Sequence, residues 1–186
     1  MKMTQPKTLV ALCLNPLLSL VLLGCGGSGE GETPETPEAS VSPKIDAVLL
    51  STSPADPTSV IEARKTAKPG DEIVVDGKIA GTVKPFTEGF ASLVLADKAL
   101  RTCELNPDEN CPTPWDACCV EPEELKASRL TIQILDETGR PVAQSLKGLN
   151  GLAELDPIVV SGFVDETSSE ENLILNVTGL YLTKEG

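Results

Sequence analysis

The chain has no histidine, two methionines and only five aromatic residues (Phe86, Phe90, Trp115, Phe163 and Tyr181) among 186 residues. Without an imidazole, Ser-His-Asp and Cys-His nucleophile pairs, histidine-ligated metal centres and histidine switches near neutral pH are all excluded. Positive charge is scarce too: 15 Lys and Arg stand against 28 Asp and Glu, for a formal net charge of −13. Nucleic-acid affinity comes largely from Lys and Arg displacing counterions, so this balance argues against a nucleic-acid partner. The length suffices for one domain with a real core, but not for two comfortable ones.

What is present begins with an address. Lys2 and Lys7 precede a mostly apolar run from Leu9 to Leu23, which Gly24 and Cys25 follow. A basic start, an apolar stretch too short to span a bilayer comfortably and a small residue before a break describe a secretory signal rather than a membrane helix. The last four residues, Leu22-Leu23-Gly24-Cys25, resemble the lipobox of bacterial lipoproteins. That resemblance implies that residues 1–24 are a cleaved signal peptide, and that Cys25 carries diacylglycerol on its sulfur and usually an acyl group on its new amino terminus. The expected partner of this anchor is the membrane, which two or three acyl chains hold firmly where one binds only marginally. An ordinary secretory signal with a coincidental cysteine is the alternative. Residue 26 is Gly, not the Asp that many lipoproteins use for inner-membrane retention. The expected location is therefore the extracytoplasmic face of a bacterial envelope, at the outer rather than the inner membrane.

Processing changes the composition. Loss of Lys2, Lys7, Cys13 and both methionines leaves 13 basic and 28 acidic side chains, a formal charge of −15. Residues 25–43 are rich in Gly, Ser, Pro and Glu and have almost nothing to bury. They read as a lipidated cysteine and a disordered tether, stiffened by prolines and by repulsion among Glu30, Glu32, Glu35 and Glu38. A flexible chain of this length spans roughly 20 to 25 Å.

Residues 44–186 carry the folded domain. Ser59 to Ala67, ended by Lys68-Pro69-Gly70, predicts a helical turn or two. Strand signals rich in Val, Ile and Leu follow at Glu72 to Thr82, Phe90 to Ala96, Leu130 to Leu135, Ile158 to Val164 and Leu173 to Leu182. Asp136 to Pro141 reads as a hairpin turn with Gly139 at positive φ. Leu146 to Leu155 reads as a short connector, with room for one helical turn. Two strands share the pattern V-V-x-G-x-(I/V), Val74 to Ile79 and Val159 to Val164, each with a glycine interrupting an alternating run. Such a glycine marks a bulge or sharp bend, which a small closed barrel needs. With three strands, a short connector and two more strands, residues 70 to 183 resemble the OB-fold, a mainly β, five-stranded Greek-key barrel. An immunoglobulin-like sandwich is the competitor, but it wants about seven strands.

An insertion between the second and third strands, residues 98–128, holds Cys103, Cys111, Cys118, Cys119 and the only tryptophan, Trp115. An even number of cysteines outside the cytoplasm favours disulfides. A bond between the neighbours Cys118 and Cys119 requires a strained ring. Two pairings remain open: Cys103 with Cys118 and Cys111 with Cys119, or Cys103 with Cys119 and Cys111 with Cys118. Each closure is worth about 2 to 3 kcal/mol. Two readings compete. Thiolates can bind a thiophilic metal, yet the spacing lacks paired C-x2-C knuckles. A redox role wants C-x-x-C or nearby cations, whereas the insertion is acidic. No metal site and no cofactor are therefore assigned. Trp115 is either a ligand-stacking residue or the plug of a small satellite core.

The string Cys111-Pro-Thr-Pro-Trp-Asp-Ala-Cys-Cys119, with Glu62-Ala-Arg-Lys-Thr-Ala-Lys-Pro-Gly-Asp71 upstream, resembles segments of uncharacterised lipoproteins of planctomycete-type bacteria. The resemblance implies a family and no activity. Gly70 to Lys78 has the wrong glycine spacing for a phosphate loop, and no catalytic residue can be singled out. The expectation is a lipid-anchored, non-enzymatic binding or scaffold module for an envelope protein, a glycan or a cationic ligand. A metal-handling or thiol-redox protein is the alternative, and a Ser-Lys or carboxylate hydrolase is a third.

Overall fold

The computed structural model describes residues 41–105 and 111–183. The expected signal peptide, Cys25 and the expected tether as far as residue 40 lie outside them.

The described chain enters through α1 (Pro43–Val48), which buries Ile45 and has Pro at its start. A two-residue strand, β1 (Thr58–Ser59), leads directly into α2 (Val60–Thr66). Ser59 is extended, and its hydroxyl accepts a hydrogen bond from the Glu62 N–H at 3.2 Å, so Ser-x-x-Glu starts the helix with a cap. Val60 and Ala63 turn inward, and the chain leaves helical geometry at Ala67, just ahead of Pro69.

The five strand signals become β2 (Glu72–Ile79), β3 (Ser92–Ala96), β4 (Arg129–Gln133), β5 (Pro157–Val164) and β6 (Ile174–Leu182). Antiparallel ladders join β2 to β3, β3 to β4, β6 to β5 and β5 back to β2, while β4 and β6 run parallel. The ring is closed, which makes the domain a mainly β, OB-like five-stranded barrel and not a sandwich. β1 adds to β2 in parallel, outside the ring. Inward residues alternate along each strand, as in Val75 and Ile79, Leu130 and Ile132, and Leu175 and Val177, and fill the interior.

The glycines of the two V-V-x-G-x-(I/V) strands, Gly77 and Gly162, lie where backbones approach closely. The β5–β6 register shifts between Ser161 and Gly162, a bulge. A Cβ on Gly162 would collide with the Asn176 carbonyl oxygen, and one on Gly77 would lie 2.5 Å from that of Ala96. The turn read at Asp136 to Pro141 is present, with Gly139 at φ 76° and its N–H donating to the Asp136 carbonyl at 3.1 Å.

Asp97, buried at the end of β3, ties α2 to the barrel. Its carboxylate accepts from the N–H groups of Ile61 and Ala99, both at 2.9 Å. Removing a charged acceptor from buried donors costs about 2 to 3 kcal/mol. Urea unfolding should show Asp97→Ala less stable by that amount, with part of the loss recovered in Asp97→Asn; a change below about 0.5 kcal/mol would remove this role.

Two loop carboxylates set the acid response. Asp165 is held below its ordinary pKa first by the Thr167 hydroxyl, then by backbone and Asn176 hydrogen bonds. Asp136 is lowered first by the Thr138 hydroxyl and then by the Arg140 N–H. A carboxyl depressed in the folded state adds stability above its unfolded pKa, and that stability is lost as pH falls through the folded value. With no histidine in the chain, the urea midpoint should be flat from about pH 5.5 to 7.5 and fall below about pH 4. A transition centred near pH 6.5 would refute this.

Candidate functional site

The cysteine insertion departs from the barrel at adjacent points. Ala96 pairs with Arg129 across β3 and β4, and the Asp97 N–H donates to the Ser128 carbonyl at 2.8 Å. Leu100 and Ala117 then fold back over Ala80 and Ala96 to form a second small core, against which Trp115, Val120, Leu125 and Leu155 pack. A polar triad secures the outgoing chain. Thr102, fully buried, accepts from Lys78 Nζ at 2.9 Å and donates to Glu104 at 2.9 Å, and Lys78 and Glu104 lie 3.4 Å apart. The two limbs are zipped by backbone bonds from Cys103 N–H to Asp116 and from Glu104 N–H to Pro114, each 2.8 Å.

That zipper brings the sulfurs together without bonding them. No disulfide joins any of the four cysteines. Cys103 and Cys118 are 3.6 Å apart and Cys118 and Cys119 3.8 Å apart, against about 2.05 Å for a disulfide. The expected disulfide-rich insertion is corrected to a thiol-rich one, whose order comes from the satellite core, the Lys78 triad and the zipper. The sulfurs of Cys103, Cys111 and Cys118 all lie within 4.8 Å of one another, with Cys103 buried, Cys111 half-buried and Cys118 exposed. Cys119 is exposed and falls outside this group. Burial, followed by hydrogen bonds with Cys111 and Cys118, pushes the Cys103 thiol up to about 12. Hydrogen bonding with Thr113, backbone first, holds Cys111 below its ordinary value.

Trp115 stands between the satellite core and an open groove. One side packs on the satellite core, and its indole N–H donates to the Val83 carbonyl at 2.9 Å. Its remaining surface lines a groove of about 380 Å³ with Val83, Phe86, Lys84, Lys147 and Glu154. The groove draws on three separate stretches: the β2–β3 loop, the insertion and the β4–β5 connector. Lys147 and Glu154 are paired at 2.6 Å. A larger groove of about 540 Å³ lies where α1 hands the chain to β6, lined by Leu49, Leu50, Asn150, Leu152, Tyr181 and Leu182 and without a charged side chain. Convergent polar groups beside an aromatic face favour the Trp115 groove as the binding site. Sequence reasoning reached Trp115 but not Lys84, Phe86, Lys147 or Glu154, which only the closed barrel brings together. Cys25, the expected lipidation site, lies outside the described residues.

No helix among the described residues is long and apolar enough to cross a membrane. No family model matches the chain, and no curated protein matches it. Among solved structures it is similar to the hypothetical protein ygiW from E. coli, with 12% identity, a TM-score of 0.35, and coverage of 69% of this chain and 90% of that one.

Proposed function

We propose that the protein is a lipid-anchored envelope lipoprotein whose barrel is a non-enzymatic binding module, taking a glycan in the groove beside Trp115. The observation that carries this reading is the indole itself. Its N–H is committed to Val83, so it offers the groove an apolar face, with Lys84, Glu88, Lys147 and Glu154 around it as hydrogen-bonding groups. An apolar face ringed by polar groups of both signs suits a polyhydroxylated ligand. The formal charge of −15 after processing disfavours a phosphodiester chain. The basic, apolar start and the Leu22-Leu23-Gly24-Cys25 motif support a position on the extracytoplasmic side, at the outer membrane.

Trp115 is the only tryptophan, so intrinsic fluorescence reads the groove directly. Titration with soluble peptidoglycan fragments should change the intensity and saturate. Binding followed by calorimetry should fall about tenfold in Trp115→Ala, the loss of about 1.4 kcal/mol, and less in Trp115→Phe. Single-stranded DNA at physiological salt should give no change. A flat titration with the fragments, or equal calorimetric binding by Trp115→Ala, would overturn the glycan reading; saturable DNA binding would overturn the exclusion of nucleic acid.

A further inference from the structure

We propose that Cys103, Cys111 and Cys118 form a three-thiolate binding site for a thiophilic d10 cation of the zinc type, with a fourth coordination position open at the exposed edge. The proposal does not depend on the Trp115 groove.

The geometry is that of a metal-thiolate face before closure. A tetrahedral zinc centre has Zn–S distances near 2.3 Å, which sets its sulfur-to-sulfur edges at about 3.8 Å. The Cys103 and Cys118 sulfurs are 3.6 Å apart and all three sulfurs lie within 4.8 Å of one another, so small side-chain rotations complete the face. The backbone has already done the larger work. The bonds from Cys103 and Glu104 to Asp116 and Pro114 hold the two limbs together, and the Lys78–Thr102–Glu104 triad ties the outgoing limb to β2, without any help from sulfur. Cys103 forms the floor, while Cys111 and Cys118 reach the surface, giving an ion a route in.

The chain's composition narrows the ion. With no histidine, the donors are sulfur, and carboxylate or water for the open position. Three soft thiolates select zinc or a similar thiophilic ion over magnesium or calcium. Binding releases the three thiol protons as the sulfurs become thiolates. Acidic side chains around the site, including Glu104, Asp116, Glu121 and Glu123, favour approach of a cation. A disulfide would instead need Cys103 and Cys118 to close from 3.6 Å to about 2.05 Å, leaving Cys111 without its partners.

The test uses the full chain, purified reduced and without oxygen, and titrated with cobalt(II). Thiolate-to-cobalt charge-transfer bands should grow to one equivalent and disappear on adding zinc. Cys103→Ser, Cys111→Ser and Cys118→Ser should each weaken cobalt binding by more than about 100-fold, beyond the usual effect of outer-shell changes. Cys119→Ser should weaken it by less than about threefold, because its sulfur is outside the group. Should the buried Cys103→Ser variant fail to fold, the more accessible Cys111 gives the same information. Absence of the bands, bands that survive the Cys111 and Cys118 substitutions, or envelope-purified protein with Cys103 and Cys118 joined in a disulfide would each overturn the proposal.

Discussion

Gly162→Ala should be the most damaging single-methyl change in the barrel. The added Cβ would collide with the Asn176 carbonyl oxygen and lie 2.9 Å from the carbonyl carbon. Both obstacles are backbone atoms of the neighbouring strand, so no side-chain rotation relieves them. Either β5 and β6 separate at the bulge, or β6 shifts in register and turns its inward residues away from the core. The expected cost is at the top of the overpacking range, about 3 kcal/mol, or roughly 10 °C in Tm. Gly77→Ala meets the Ala96 oxygen at 2.5 Å and the Leu95 side chain at 2.8 Å, and should rank next because part of its obstruction is movable. Gly139→Ala is the control: nothing lies within 4 Å of its Cβ, and only its φ of +76° is unfavourable, which costs about 1 kcal/mol. Thermal unfolding of the three variants should follow that order. A Gly162→Ala protein that melts with the wild type would show that the bulge can be repaired locally.

Cys25→Ala should move the protein from the membrane to the soluble extracytoplasmic fraction. Each buried methylene of an acyl chain adds about 0.8 kcal/mol, so two or three chains make dissociation negligible, whereas a protein without them has only weak surface contacts. The chain's acidity opposes binding to anionic lipid. Globomycin should leave the precursor uncleaved, and a fatty-acid analogue should label wild type but not Cys25→Ala. Membrane association unchanged by the substitution would overturn lipidation as the means of attachment.

The barrel was legible because its signals are local. Each strand is a Val, Ile and Leu run closed by Gly, Pro, Asp or Asn, and the two glycine-interrupted runs stand at the tightest strand contacts. The misjudged boundaries have tertiary causes. β2 was expected to reach Thr82 but ends at Ile79, because Gly81 turns the chain at φ 87° and gives its N–H to the Trp115 carbonyl at 2.8 Å, a partner far along the sequence. The helix α1 escaped notice because it is six residues long with one buried side chain and no side-chain cap; it is made by docking rather than by propensity. The cysteines could be counted from the sequence, but their state could not. Whether four thiols pair or gather depends on how the limbs at 103–104 and 114–116 align, and no spacing rule encodes that alignment. The groove was invisible for the same reason, since its residues come from three connections that meet only after closure.

The hydrogen bond from Asp97 to Ser128, with Ala96 opposite Arg129, gives the insertion the footprint of an ordinary hairpin: its two ends are already as close as a tight turn requires. Excising it would uncover Leu155 as well as Ala80 and Ala96, and would take from Lys78, Gly81 and Val83 their partners Thr102, Glu104 and Trp115. The thiols and Trp115 therefore sit on an insertion that joins the barrel at one hairpin yet braces the β2–β3 loop, so the loop's shape and the thiol cluster are parts of one unit.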